Sequence, residues 1–310
     1  MPSNVAERYL DVVIIGAGPA GLTAARVVAS SGLSCLLIDR MGPGGELMNM
    51  GEIHDCPDIE PGTSGPDFLA KLLDDAMAAG AELVIDEVTG LTGERPWRVV
   101  GAEATVTSRA VIIATGLEKG TMGLAEEADF EGRGLSHCAN CDGPLFAGKR
   151  VVVDGGGDWA IQDAIELAGS AAHVTVITES ALRASSARSV TLQALPNVTV
   201  VTGAIVQLSG DPVLTKIIVE TTTGRTSLDA DGLFPCARRK PATAFLGDLL
   251  QKTRAGHIEV GAIDLQASRS GVFACGDVEA SSHRICDAIA DGEKAGHNAA
   301  CWVRSVASGS

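Results

Sequence analysis

Val12-Val13-Ile14-Ile15-Gly16-Ala17-Gly18-Pro19-Ala20-Gly21 decides how this chain folds. The four apolar residues read as a short buried strand, and three glycines follow at Gly-x-Gly-x-x-Gly spacing. Residues 22–31 carry Ala and Val at helical spacing, and 34–38 form a second apolar run that ends at Asp39. Each glycine has a separate task in such a unit. Gly16 permits the turn, Gly18 lets a pyrophosphate approach the backbone, and Gly21 lets helix and strand pack closely. Pro19 and Ala20 complete the loop. The helix N-terminus then offers free N–H groups and a positive dipole end to phosphates. Asp39, about twenty residues on, offers a carboxylate to ribose hydroxyls. A tight turn without a ligand accounts for the glycines alone, but not for strand, helix and acid arriving in this order.

The pattern recurs. Val151-Val152-Val153 precedes Gly155-Gly156-Gly157-Asp158-Trp159-Ala160, which keeps the Gly-x-Gly-x-x-Ala frame, and strand, loop, helix and strand span 150–178. Just before this second unit stands Cys138-Ala139-Asn140-Cys141-Asp142. A two-residue spacer lets two thiols close a small disulfide ring in which each sulfur has its own role. Exchange then needs a thiolate and a proton donor for the departing sulfur, and Asp142 is the natural acid. His137 reads as a surface histidine beside the motif. Cys35, Cys56, Cys236, Cys275, Cys286 and Cys301 are isolated, so no zinc-type pairing emerges, and Cys56 and Cys275 read as packing residues. Other elements expected are a helix over 67–79, a strand over 109–114, strands over 198–201, 217–223 and 233–235, a strand over 271–274, and a helix over 287–303. The end, 307–310, reads as a frayed tail. The fold class is therefore α/β, built from two Rossmann-like dinucleotide-binding domains.

Composition bounds the setting. The 310 residues are long enough for two cores, and 37 glycines suit close backbone approach to ligands. A net charge of −15 argues against binding nucleic acid or anionic membranes through phosphate attraction. No apolar run is long enough to span a bilayer, and residues 1–10 lack the apolar core of a signal peptide, so the cytoplasm is the expected location.

Taken together in order, Gly16–Gly21, Gly44-Gly45-Glu46-Leu47, Ala114-Thr115-Gly116, Gly271-Val272-Phe273-Ala274-Cys275-Gly276-Asp277 and the Cys138–Gly143 segment resemble the low-molecular-weight thioredoxin reductases. The resemblance implies a discontinuous FAD domain of residues 1–119 and 241–310. A smaller NAD(P)-binding-like domain, 120–240, would be inserted there and carry the dithiol. It implies that Gly45, Glu46, Leu47, Asp55, Val88, Thr115 and Gly116 also line the FAD site. Asp277 would contact the ribityl or pyrophosphate portion, and Arg284, Ile285 and Cys286 would lie beside the isoalloxazine ring. Glu46 stands where the family commonly has Gln, and Asp55 where it commonly has Asn. By the same resemblance Cys141 faces the flavin, Cys138 meets the external substrate, and the chain forms a homodimer. His283, just before Arg284, stands as a base near the flavin–thiol junction, with a hydrogen-bonded structural histidine as the alternative.

The second loop departs further. Trp159 occupies a position where the family carries a small Ser or Thr near the phosphates. An indole there obstructs the cofactor, stacks against it, or packs outward, and the sequence leaves all three open. Glu179 ends the next strand where NADPH-using relatives carry a basic cluster for the 2′-phosphate, although Arg183 remains and Arg238-Arg239-Lys240 is a basic run nearby. NADPH is thus disfavoured, while NADH or no pyridine nucleotide stays open. The leading expectation is an FAD-dependent disulfide oxidoreductase that passes electrons between FAD, Cys138/Cys141 and a thioredoxin-like protein or small-molecule disulfide. A dithiol oxidase using oxygen, a ferredoxin-fed reductase and a non-catalytic redox sensor are the competing readings.

Overall fold

In chain order the strands and helices are β1 (Tyr9–Ile15), α1 (Pro19–Ser30), β2 (Cys35–Asp39), α2 (Gly65–Ala78), β3 (Glu82–Ile85), β4 (Val88–Thr92), β5 (Trp97–Gly101), β6 (Thr105–Ile113) and β7 (Leu117–Lys119). Two single-turn helices, α3 (Glu127–Phe130) and α4 (Ala139–Asp142), lead into β8 (Arg150–Asp154), α5 (Asp158–Ala168), β9 (His173–Thr178), α6 (Ser186–Ala194) and β10 (Val198–Thr202). Then come β11 (Ala204–Gly210), β12 (Leu214–Thr221), β13 (Gly224–Asp229), β14 (Gly232–Pro235), β15 (Arg239–Pro241), β16 (Val272–Ala274) and α7 (Ile285–Ala307). This computed structural model describes residues 8–53, 56, 58–184, 186–237, 239–279 and 284–307. Asp55, Arg238, His283 and residues 308–310 lie outside the described residues, and Ala307, expected to begin a frayed tail, instead ends α7.

The chain divides into two compact units, one of residues up to Glu118 together with those from Lys240 onward, the other Lys119–Arg239. In the first, β3, β2, β1, β6 and β16 form a parallel sheet, and the β4–β5 hairpin pairs antiparallel with the N-terminal half of β6. Parallel pairing buries both faces, so the strands read as continuous apolar runs rather than alternations. Val13, Ile15, Val111 and Ile113 point into one core with Trp97, Leu246 and Ile258. Val12, Ile14, Ala110 and Ile112 are equally buried. α1 and α7 pack through small residues: a Cβ on Gly296 would come within 2.8 Å of the Ala24 carbonyl, and one on Gly292 would overlap that of Ala20.

In the second unit β10, β9, β8 and β14 are parallel, and β11, β12 and β13 form an antiparallel sheet of their own. The period of two within β8 sorts its side chains. Val151 and Val153 join α5 and α6 in one core. Val152, between them, joins Ile205, Leu208, Ile217 and Val219 of the antiparallel sheet in another. Among the described residues no helix is long and apolar enough to cross a membrane.

Candidate active site

The first glycine loop is built as the sequence requires. Gly16 holds a φ of +105°, and a Cβ there would strike the Ala114 carbonyl. A Cβ on Gly21 would overlap the Gly16 carbonyl, so only glycine lets α1 close on β1. Around the Cβ position of Gly18 nothing lies within 4 Å, which leaves the backbone open to a ligand. α1 starts with Pro19 at its first position, and no side chain caps it. Its leading N–H groups therefore remain for an anion. Asp39, at the end of β2, accepts N–H bonds from Ala17 (2.8 Å), Met41 (3.0 Å) and Gly42 (3.1 Å). It fixes the loop's shape, and a carboxylate has lone pairs left for a ribose hydroxyl.

Other expected FAD residues converge on that loop. A Cβ on Gly45 would lie 3.5 Å from the Gly18 Cα, so the turn with half-buried Glu46 and buried Leu47 runs beside the glycines. Gly276 presses on α1, its Cβ position 2.9 Å from the Ala20 Cβ, and the next residue's carbonyl, that of Asp277, meets His257 Nδ1 at 3.2 Å. Thr115 donates its hydroxyl to the Ala242 carbonyl at 2.9 Å, and the Gly116 carbonyl accepts the Ala242 N–H. Gly16, Asp39, Thr115 and Gly276 thus follow the carboxyl ends of β1, β2, β6 and β16, where open α/β sheets bind ligands. At the start of α7, Arg284 pairs with Asp287 at 2.8 Å, Ile285 is buried and Cys286 is half-buried. Val88 opens β4 and packs its side chain on the apolar core. These residues fit FAD: an open pyrophosphate approach, a helix N-terminus facing it, and a carboxylate at ribose distance in sequence.

Cys138 and Cys141 are joined in a disulfide. Cys138 is the N-cap of α4, and its sulfur accepts the Cys141 N–H at 3.1 Å. A residue unmarked by sequence reading, the buried Ser136, ties the acid to the pair. Its hydroxyl donates to Asp142 Oδ2 at 2.6 Å and accepts the Cys138 N–H at 3.3 Å. The Ser136 N–H in turn bonds the Leu233 carbonyl, so this short helix hangs from β14. The only signal for Ser136 was its place two residues before Cys138. His137 Nε2 meets Glu131 at 2.7 Å.

The second glycine loop repeats the first. Gly155 has a φ of +143°, its Cβ position is 2.8 Å from the Ala160 Cβ, and nothing lies within 4 Å of the Cβ position of Gly157. Asp158, at the first position of α5, pairs with Arg188 at 3.1 Å. The Arg239 guanidinium lies over the Trp159 ring, 5.4 Å from its centroid. Glu179 and Arg183 are exposed, and the Arg183 N–H bonds the Gly156 carbonyl at 2.7 Å. Behind the loop, the Cys236 thiol donates to Asp163 at 3.1 Å, and burial followed by that carboxylate pushes it well above the ordinary thiol range. Among the described residues no His/Cys/Asp/Glu cluster suits a metal ion.

Two glycine loops and a dithiol on one chain find their counterpart among known proteins. Residues 10–297 match the family described as pyridine nucleotide-disulphide oxidoreductase. The chain belongs to this family. Within the family it is similar to the thioredoxin reductase of Treponema pallidum, 34% identical over 307 residues that span 97% of this chain and 99% of that one. Among solved structures it resembles Lactococcus lactis thioredoxin reductase in its FR conformation, with a TM-score of 0.91 and 29% identity over 96% of this chain and 99% of that chain. It also resembles the T. acidophilum thioredoxin reductase, with a TM-score of 0.90 and 28% identity over 97% of this chain and 100% of that chain. As a family member the chain is a thioredoxin reductase-like, FAD-dependent disulfide oxidoreductase, in line with the reading from its motifs.

Proposed function

We propose that the chain reduces the disulfide of a thioredoxin-like protein through Cys138 and Cys141, with NADH preferred to NADPH as electron donor. The observation that carries the first part is the dithiol's setting: Cys138 at a helix N-cap, accepting an N–H, with Asp142 held one residue past Cys141. Partial positive charge from that N–H favours a thiolate at Cys138 in the reduced state. That thiolate attacks one sulfur of the substrate disulfide, forming a mixed disulfide and releasing one substrate thiolate, which takes the Asp142 proton. Cys141 then gives its proton to the Asp142 carboxylate and attacks the Cys138 sulfur, closing the intramolecular disulfide and releasing the second substrate thiolate. The substrate gains two electrons and the pair loses two. FAD, when bound, supplies the two-electron chemistry that returns the pair to the dithiol.

The donor preference rests on Glu179. A carboxylate at the end of the second strand of such a unit accepts hydrogen bonds from a free ribose 2′-hydroxyl and repels a 2′-phosphate. The relatives' names support a thioredoxin as partner. Six free cysteines beside one disulfide suit a reducing compartment, so we place the activity in the cytoplasm, and family likeness supports a homodimer. The test is anaerobic flavin bleaching with each nucleotide, followed by turnover with a thioredoxin-like protein. Rapid bleaching by micromolar NADPH in preference to NADH would overturn the donor assignment. Bleaching without any turnover of a protein disulfide would overturn the substrate assignment.

A further inference from the structure

We infer that Trp159 is a platform that holds Arg239 beside the second glycine loop, where its guanidinium grips the dinucleotide's pyrophosphate. The inference rests on the proposed use of a nicotinamide dinucleotide and names the cation that secures it. An indole at the second position of α5 has two opposite consequences open to it. Lying over the glycines, it would fill the pyrophosphate's place. Turned aside, it becomes a wall of the site.

The geometry points to the wall. No atom of Trp159 comes within 4 Å of the Cβ position of Gly157, the glycine that must stay open. The ring instead has Arg239 over its face at 5.4 Å, and an indole is the best aromatic partner for a cation. A guanidinium over a ring face uses only one side of its plane for that contact and keeps a planar N–H fork that suits phosphate oxygens. Three carboxylates sit near the loop, together with exposed Arg183, whose N–H bonds the Gly156 carbonyl. Asp158 opens α5, Glu179 follows β9, and Asp163 lies one turn beyond Trp159. Arg188 compensates Asp158 at 3.1 Å. Arg239 is a cation beside the first turn of α5, set there over the Trp159 ring. A small residue at 159, as in the relatives' pattern, would leave that guanidinium without its platform.

The experiment measures nucleotide binding rather than turnover. Calorimetric Kd values for NADH are taken anaerobically on FAD-loaded, pre-reduced wild type, R239Q, R239K, W159F and W159S, so that no hydride transfer follows binding, with FAD content and circular dichroism as checks on folding. Loss of one charge-assisted contact raises Kd about tenfold or more in R239Q. W159S shows a similar loss, W159F is near wild type, and R239K lies between, because lysine lacks the planar fork. Tighter binding in W159S would mean that the indole is a plug, and unchanged binding in R239Q would remove the phosphate contact. Either result sinks the inference and leaves the disulfide chemistry intact. A wild type that binds neither NADH nor NADPH overturns both this inference and the donor assignment. Equal weakening of NADH and NADPH by R239Q supports it whichever nucleotide Glu179 favours, since the pyrophosphate is common to both.

Discussion

Ser136 connects two groups that must act together. Its hydroxyl holds Asp142 Oδ2 at 2.6 Å and receives the Cys138 N–H at 3.3 Å, so the proposed acid and the proposed attacking sulfur share one buried hinge. Removing the hydroxyl frees the carboxylate to rotate. Ser136→Ala is expected to slow thiol–disulfide exchange about fivefold, the worth of roughly 1 kcal/mol of positioning, and Ser136→Thr to restore most of it. Asp142→Asn removes the proton itself and should cost about 10²-fold or more. Stopped-flow exchange with a model disulfide reads both, and equal rates in wild type and Asp142→Asn would remove the acid's role. Burial sets the other thiols apart. The Cys35 thiol is pushed up to about 12, first by desolvation and then by Glu82, and Cys275 is raised further by desolvation with Asp291 and Glu279 adding. Both stay protonated at neutral pH, so iodoacetamide on the reduced native protein should label exposed Cys301 and the Cys138/Cys141 pair but spare Cys35 and Cys275. The sign for stability follows from the same shifts. The unfolded thiols ionise near pH 8.5 while the folded ones do not, so the urea midpoint should fall as pH rises from about 9 toward 12. A midpoint flat across that range would contradict the assigned burial.

At the scale of elements, the first glycine loop sets a tightly packed glycine and an open one three residues apart. A methyl on Gly21 would overlap the Gly16 carbonyl, forcing α1 off β1, whereas a methyl on Gly18 meets nothing within 4 Å of the protein. Gly21→Ala is therefore expected to cost about 2 kcal/mol or more of stability, as overpacking does. Gly18→Ala should leave the apoprotein's denaturation midpoint unchanged and weaken FAD, because the methyl enters the pyrophosphate's approach. Equal loss of apoprotein stability in both variants would show that Gly18 serves packing alone. The packing role of Gly21 was legible from spacing, as were both strand–loop–helix units, because strand period, glycine and helix N-terminus are local signals. The β4–β5 hairpin was not. Its residues pair Val88 with Gly101 and Trp97 with Ser108 across long stretches, and neither half has a sustained alternation. The α1–α7 seam was equally hidden, since Gly292 and Gly296 sit in an ordinary amphipathic helix until Ala20 and Ala24 are brought against them. The site divides in the same way: the thiols and Asp142 carry their chemistry in sequence, while Ser136, Arg188 and Arg239 acquire roles only through partners far along the chain or around a turn.

For the molecule as a whole, the dinucleotide loop at Gly16–Gly21 and the dithiol belong to different compact units of one chain. The chain crosses between them twice, at 118/119 and 239/240, and the crossing segments β7 and β15 pair as a two-stranded ribbon, with Lys240 and Glu118 in an ion pair at 3.2 Å. Paired strands run about 4.8 Å apart, so the ends left by removing the inserted unit are already neighbours. The first unit also has its own core: β1, β6, β16 and the β4–β5 hairpin close on Trp97, Leu246 and Ile258 without any residue between Lys119 and Arg239. Replacing residues 120–239 by a short Gly-Ser linker should therefore give a protein that folds, binds FAD and turns yellow, yet reduces no disulfide. The cost of closing such a short loop is small against a core of this size. Absorbance of bound flavin and a cooperative urea transition report the first outcome, and thiol release from a disulfide substrate reports the second. An aggregated or colourless product would show that the FAD fold depends on the inserted unit. Retained disulfide turnover would be the more telling failure, because it would move the reducing centre away from Cys138 and Cys141 altogether.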